Sequence, residues 1–348
     1  MKIYFTEAEP GERIKFASEL EEHEVYFADS LEEVESDAEI LSTFIYSPIT
    51  EEFLSVHPSL KLVVTRSTTW DHIDLKRCAE HGVTVCTISS YGDYTVAEHT
   101  FALILALSRR LREVAEASKQ HALSYESLRC FELHGKTMGV IGTGRIGLET
   151  IRLAKAFGMR VIANDIHPRT DMAELMGYRY VKFEELLRES HVISLHATLT
   201  PDSQHMIDRA ALSKCKPGAF LINTSRGGLI DTKALLEALD AGIIAGAGLD
   251  VLEDEAVMRR DSSDIISDQI IRHMQGIFSS MPSTAQDPSR VKELQDLIHN
   301  ERLLAHKGVV FTPHVAFNSV EAVERIRRMT LENIRSFIAG SPINVITH

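Results

Sequence analysis

Cysteine is scarce in this chain and follows no spacing rule. Cys78, Cys86, Cys130 and Cys215 form no C-x-x-C pair, which argues against a disulfide scaffold and a zinc ribbon, and no metal site is expected. Basic charge is also short: 37 Lys and Arg face 50 Asp and Glu, a balance of −13. So acidic a chain lacks the positive footprint of a dedicated nucleic-acid binder and is disfavoured at an anionic membrane surface. No apolar run approaches the roughly 18 residues of a membrane span. The N-terminus turns acidic before the apolar stretch of a signal peptide develops. Solenoid repeats and low-complexity tracts are absent as well. A soluble, cytoplasmic protein is the expectation.

What is present is the composition of an ordinary globular protein, 44% hydrophobic and 25% charged over 348 residues, enough for about two domains. Up to residue 99, short apolar runs at 2–6, 24–28, 40–46, 62–65 and 83–88 alternate with helical patterns at 12–22, 50–57 and 74–81. A long helix is expected over 95–120, with Val96, Ala97, Phe101, Leu103, Ile104, Leu107 and Leu111 as its apolar stripe. A second series then sets strands at 137–141, 160–164, 192–196, 219–223 and 246–252 between helices at 146–157, 183–189 and 232–241. The pattern loosens over 253–307 apart from a helical piece near 291–304, and ends with a strand at 309–312 and an amphipathic helix at 320–338. Strands alternating with helices imply two parallel sheets wound on both sides, an α/β fold.

Gly142-Thr-Gly144-Arg-Ile-Gly147 follows a strand and opens a helix. Its glycines would permit a tight turn, close approach of a pyrophosphate, and close packing of helix on strand, with the phosphate on the helix N-terminus. Alone the motif is weak. Here Asp165 closes the next strand about 20 residues on, where a carboxylate can bind the adenosine-ribose hydroxyls and repel a 2′-phosphate. NAD is therefore expected in preference to NADP, although Arg145, Arg160 and Arg169 stand near enough to bear on that preference.

Three later segments fall at strand ends. Arg226 precedes Gly227-Gly228, and its planar guanidinium suits a bidentate grip on a carboxylate; capping a neighbouring element is the bland alternative. Asp250, Glu253, Asp254 and Glu255 form an acidic stretch that would ordinarily be a solvated loop. His314 follows a strand and Pro313, a place where a proton-transfer group would be held firmly. Together they offer a cation for a carboxylate, an acid for a developing alkoxide, and a carboxylate that would raise the pKa of an imidazole.

With these motifs the chain resembles the D-isomer-specific 2-hydroxyacid dehydrogenases over essentially its full length, and within them the D-lactate dehydrogenase branch. The resemblance also rests on Thr65-Arg-Ser-Thr-Thr-Trp-Asp-His-Ile-Asp74 and Tyr91-Gly-Asp-Tyr-Thr-Val-Ala-Glu98-His99. It implies a Rossmann NAD-binding domain, residues 100–308, inserted into a flavodoxin-like substrate domain formed by 1–99 and 309–348. It implies further that Arg226 binds and polarises the substrate, that His314 is the acid/base and that Glu255 is its partner. Thr68 and Thr69 would hold the substrate carboxylate through backbone amides, and Tyr91 would contact substrate. Cofactor contacts would come from Gly142, Gly144, Arg145, Ile146, Gly147, Asp165, His196, Thr224 and Asp250, the last orienting the nicotinamide carboxamide. A homodimer built partly on the 95–120 helix is implied as well.

The chain departs from the family pattern at Thr69, usually glycine, and at Thr198, often proline. A side chain at 69 would narrow the site, or distort the loop if φ there is positive. Trp70 is expected to pack beneath that loop, with lining of the pocket as the alternative. Residues 258–271 read as a surface excursion or as a lid. The expected activity is NAD-dependent interconversion of a D-2-hydroxy acid and its 2-keto acid, with D-lactate and pyruvate first. Glycerate, bulky keto acids and phosphite are other substrates of this scaffold, and an NAD-binding corepressor-like module is the competing class.

Overall fold

A computed structural model describes residues 1–119, 126, 128–253 and 298–346. In chain order the first elements are β1 (Lys2–Thr6), α1 (Pro10–Glu19), β2 (Glu24–Ala28), β3 (Ile40–Thr43), α2 (Glu51–Val56), β4 (Leu62–Thr65), α3 (Leu75–Glu80) and β5 (Thr84–Cys86). There follow α4 (Asp93–Ser108), α5 (Leu111–Lys119), β6 (Thr137–Ile141), α6 (Arg145–Ala156), β7 (Arg160–Asn164), α7 (Thr170–Met176), β8 (Arg179–Tyr180), α8 (Phe183–Glu189) and β9 (Val192–Leu195). The last are α9 (Arg209–Ser213), β10 (Ala219–Asn223), α10 (Thr232–Asp240), β11 (Ile244–Leu249), β12 (Val309–Phe311) and α11 (Val320–Ile338). The chain divides into two compact units, Met1–Gly92 with Asn318–His348, and Asp93–Phe317.

The first unit holds a five-stranded sheet in the order β2-β1-β3-β4-β5, every pair parallel. Successive residues feed opposite cores: Ile3, Phe5, Leu62 and Val64 pack with Phe16, Leu331 and Ile334, while Tyr4 and Val63 pack with Leu41, Phe53 and Leu54. Each such fully buried side chain contributes about 1.5–3 kcal/mol. The second unit holds a seven-stranded parallel sheet in the order β12-β11-β10-β9-β6-β7-β8. Here too both faces are covered, one by a cluster around Ile193, Leu221 and Ala247, the other by one around Met138, Val140 and Ile222. Asp74, Asp208, Asp231 and Ser319 cap their helices by accepting from the third amide on, each cap worth about 1 kcal/mol.

The helix expected over 95–120 is broken. Arg110 has φ 50°, its N–H reaches back to Leu107 O rather than a full turn, and α5 starts anew at Leu111. Leu111, expected in the buried stripe, is 51% exposed, because the break at Arg110 takes it out of the register of α4. Pairing of strands gave the short β8 and the strand limits; β3 and β5 are shorter than their apolar runs. Among the described residues no helix is long and apolar enough to cross a membrane.

Candidate active site

The order of the seven-stranded sheet reverses between β6 and β9, and open α/β sheets bind ligands beyond the carboxyl ends of their strands at such a point. The loops leaving these two strands carry Gly142 to Gly147 and His196. Gly142 has φ +92°, and a Cβ there would run into the His196 backbone, so a glycine is needed where the two loops touch. Gly147 likewise lies against the Gly142 carbonyl. Gly144 differs: a Cβ on it would meet nothing within 4 Å. It is also the N-cap residue of α6, which has no side-chain cap. Uncapped amides with open space above them suit a pyrophosphate. Beside them Arg145 pairs with Asp93 (Nε to Oδ2, 3.2 Å), and Ile146 is half-buried.

Asp165, just beyond β7, is drawn onto this loop. Its Oδ2 accepts from Thr143 N (2.5 Å) and Thr143 Oγ1 (2.9 Å), and its Oδ1 from His167 N (2.8 Å). Burial pushes the carboxyl pKa up, but the bonds from Thr143 and His167 outweigh it and hold it below the ordinary value. With its proton committed to Asp165, Thr143 Oγ1 accepts from Tyr180 Oη (2.7 Å), which in turn accepts from Arg169 N (2.9 Å). A cavity of about 460 Å³ opens next to Asp165, walled by Asn164, Pro168, Tyr180 and Lys182. On the other side of the glycine loop, His196 Nε2 lies 2.8 Å from Ser194 Oγ, and burial pushes the imidazole down to about 4. The ring is therefore neutral at neutral pH. The open helix terminus, the low-pKa carboxylate and the adjoining cavity fit a dinucleotide.

The neighbouring strands β10, β11 and β12 present the remaining second-unit residues at their carboxyl ends. Thr224 Oγ1 lies 2.9 Å from Thr100 Oγ1 of α4. Arg226 is held through its backbone: its carbonyl accepts from Asn223 Nδ2 (2.8 Å), and Asn223 Oδ1 accepts from Ser225 N (3.0 Å). Its own Nη1 donates to Ser225 O (2.8 Å). The next residue must be glycine, since a Cβ on Gly227 would strike the Leu252 carbonyl where the chain crosses after β11. Asp250 is fully buried, its N–H donating to Asn223 O and its carbonyl accepting from His314 N (2.8 Å). His314 itself has φ 55°, a left-handed conformation that a side-chain-bearing residue adopts at a cost. Arg226 follows β10 and His314 follows β12, so with β11 between them and strands spaced by about 4.8 Å the two strand ends lie roughly 10 Å apart.

In the acidic stretch, Glu253 pairs with His205 (Oε1 to Nε2, 2.5 Å). Glu255 and residues 258–271 lie outside the described residues. Among the described residues no cluster of His, Cys, Asp and Glu is arranged to hold a metal ion.

In the first unit Thr68 and Thr69 follow β4. Thr69 does not have a positive φ, so its side chain imposes no left-handed strain, and its carbonyl accepts from Ser67 Oγ. Arg66, just past the end of β4, is fully enclosed and donates to the carbonyls of Ser42, Thr6 and Glu7. Trp70 is 41% exposed, which overturns the expectation that it packs beneath the loop. Tyr91 is buried, and its carbonyl accepts from Arg325 Nε (2.7 Å).

Sequence reasoning gave no role to Asn223, Thr143, Tyr180, Thr312, or the pair His99 and Thr100. The last two carried a usable signal, since they interrupt the most apolar stretch of α4 with polar atoms that must find partners.

The family model of the D-isomer specific 2-hydroxyacid dehydrogenase NAD binding domain matches residues 101–316. The chain is 33% identical to the D-lactate dehydrogenase of Escherichia coli over 93% of its length and 91% of that protein's. It is 32% identical to the glyoxylate reductase of Thermococcus litoralis over 99% and 96%. The crystal structure of the Aquifex aeolicus D-lactate dehydrogenase with NAD and lactic acid matches with a TM-score of 0.82 at 34% identity, covering 99% of this chain and all of that one. The chain belongs to the D-isomer-specific 2-hydroxyacid dehydrogenases, and is an NAD-dependent oxidoreductase acting on CH–OH donors.

Proposed function

We propose that the protein interconverts D-lactate and pyruvate, with His314 as acid/base and Arg226 as the carboxylate clamp. The observation that carries the assignment of roles is the placement of Arg226 and His314 after strands β10 and β12, with only β11 between them, and His314 in a left-handed backbone conformation anchored on Asp250. NAD held on the glycine loop and Asp165 would supply the hydride chemistry when bound. In reduction, His314 gives a proton to the developing alkoxide; in oxidation the neutral ring takes it back. Arg226 fixes the substrate carboxylate and polarises the adjacent carbonyl. Asp165 reads the adenosine ribose and His196, Thr224 and Asp250 stand along the remaining path of the cofactor. Glu255 as partner of His314, and Thr68, Thr69 and Tyr91 as substrate contacts, rest on the resemblance. The first unit is then the substrate domain and the second the NAD domain. A homodimer rests on the resemblance too, and light scattering tests it.

The choice of lactate is supported by the named relatives, D-lactate dehydrogenases prominent among them, while glyoxylate and glycerate enzymes also match. Purified protein with NADH and a panel of pyruvate, glyoxylate, hydroxypyruvate and bulky 2-keto acids decides it. Pyruvate is expected to give the highest kcat/KM; a glyoxylate or hydroxypyruvate preference above tenfold rejects lactate while keeping the family chemistry.

A further inference from the structure

The Tyr91 to His99 motif ends in a histidine for which the reaction has no use. His99 sits on α4 between buried Val96, Ala97 and Phe101, and its Nε2 lies 2.9 Å from Thr312 Oγ1 and 3.5 Å from Asp250 Oδ1. Asp250 has no exposed surface, so each of its oxygens depends on protein donors. Oδ1 accepts from Thr312 Oγ1 (2.5 Å) and Val315 N (3.0 Å), and Oδ2 from Ala316 N (2.9 Å). The single hydroxyl proton of Thr312 is thereby given to Asp250. Thr312 Oγ1 is then the acceptor towards His99, and the proton of the imidazole is fixed on Nε2. The result is a one-way chain of donors, His99 to Thr312 to Asp250.

Apart from the N–H that it donates to Asn223 O, the remaining bonds described for Asp250 go to the loop that carries His314. Its carboxylate holds the amides of Val315 and Ala316, and its carbonyl holds that of His314. His314 N–H is shared with Thr312 O at 2.9 Å. The left-handed φ of His314 survives because both sides of the loop are tied to this one residue. Without His99, the Thr312 hydroxyl loses the donor that orients it towards Asp250.

We propose that His99 is a positioning residue for His314, acting through Thr312 and Asp250 rather than by contact with substrate or cofactor. The proposal rests on the reading of His314 as the acid/base, and its test separates the two. His99→Gln keeps an N–H donor near the position of Nε2, while His99→Leu removes it; Thr312→Ser and Thr312→Val make the same contrast one step along. Two measurements are made on each full-length variant: hydrogen exchange of the Val315 and Ala316 amides, with the β6 and β9 amides as a control for global stability, and kinetics with NADH and pyruvate.

His99→Leu and Thr312→Val are expected to exchange at 315 and 316 at least about tenfold faster with the control amides unmoved. They should lose about 10- to 100-fold in kcat at nearly constant KM for NADH. His99→Gln and Thr312→Ser should recover most of both. Unchanged exchange in His99→Leu overturns the proposal whatever the kinetics do. So does equal damage from Leu and Gln, which marks a packing role, or faster exchange with kcat intact. Absence of turnover in the unmutated protein with every keto acid sinks the acid/base reading and with it the role of His99 in catalysis; exchange then still decides whether the donor chain holds the loop.

Discussion

Around β6 and β7 the ligand-facing chain is shaped by what is missing, whereas at β10 to β12 it is held by what is buried. The glycine loop works through absent side chains: Gly142 and Gly147 let backbones touch, and Gly144 leaves room above the start of α6. The other edge works through polar side chains with no exposed surface, Asn223 under Arg226 and Asp250 under His314. A dinucleotide phosphate needs donors and space, which a bare loop on a helix terminus provides. Proton transfer needs one atom in one place, which demands a supporting network.

Damage to the two regions should therefore read out differently. His314→Ala should lower kcat by about 10²- to 10⁴-fold with NADH binding retained, measured by steady-state kinetics and by NADH fluorescence. Parallel loss of NADH binding would mean that the two regions are not separable.

A second effect belongs to the fold. His196 is pushed down to about 4 by burial from an ordinary value of 6.5. Below 6.5 the unfolded chain takes up a proton that the folded ring refuses, so stability falls as pH drops from 6.5 to about 4 and then levels. The full loss is up to about 3 kcal/mol. Urea unfolding between pH 7 and pH 4 should show it, and His196→Asn should remove that share of the slope.

Next in size, Gly144→Ala should weaken NADH binding by about 10- to 100-fold, since its Cβ enters space reserved for the phosphates. The melting temperature should hardly move, because beyond its chain neighbours none of the described residues lies within 4 Å of that Cβ. Gly142→Ala, with its positive φ and its contact with His196, should instead lower the melting temperature. The smallest change expected is in selectivity: Asp165→Ala should reduce discrimination of NADH over NADPH by roughly tenfold, measured as a ratio of kcat/KM values. An unchanged ratio would hand the ribose to another group, such as Tyr180 or Lys182, which line the same cavity.

The same contrast explains what could be read in advance. The glycine loop and Asp165 are visible in sequence because their chemistry is local: strand, turn, helix and next strand come in fixed order. The α11 limits, 320–338, were equally plain from periodicity and Gly340. Asp250 and His314 could be marked as strand-end residues, but not the bond between them, nor the ties from His99, because those join segments more than 60 positions apart. The break between α4 and α5 escaped detection because the apolar spacing runs on through Arg110, whose left-handed backbone no periodicity reveals. Trp70 and Arg66 run against residue type: size argues for burial of the tryptophan, which is 41% exposed, while the arginine is buried because its guanidinium finds three carbonyls, those of Ser42, Thr6 and Glu7.

The most direct measurement is the configuration of the product when the protein and NADH reduce pyruvate, with His314→Ala as control. NADH should be consumed in step with D-lactate, and the variant should make almost none. L-lactate as the product, equal turnover by the variant, or tight NADH binding without consumption by any 2-keto acid would contradict the account.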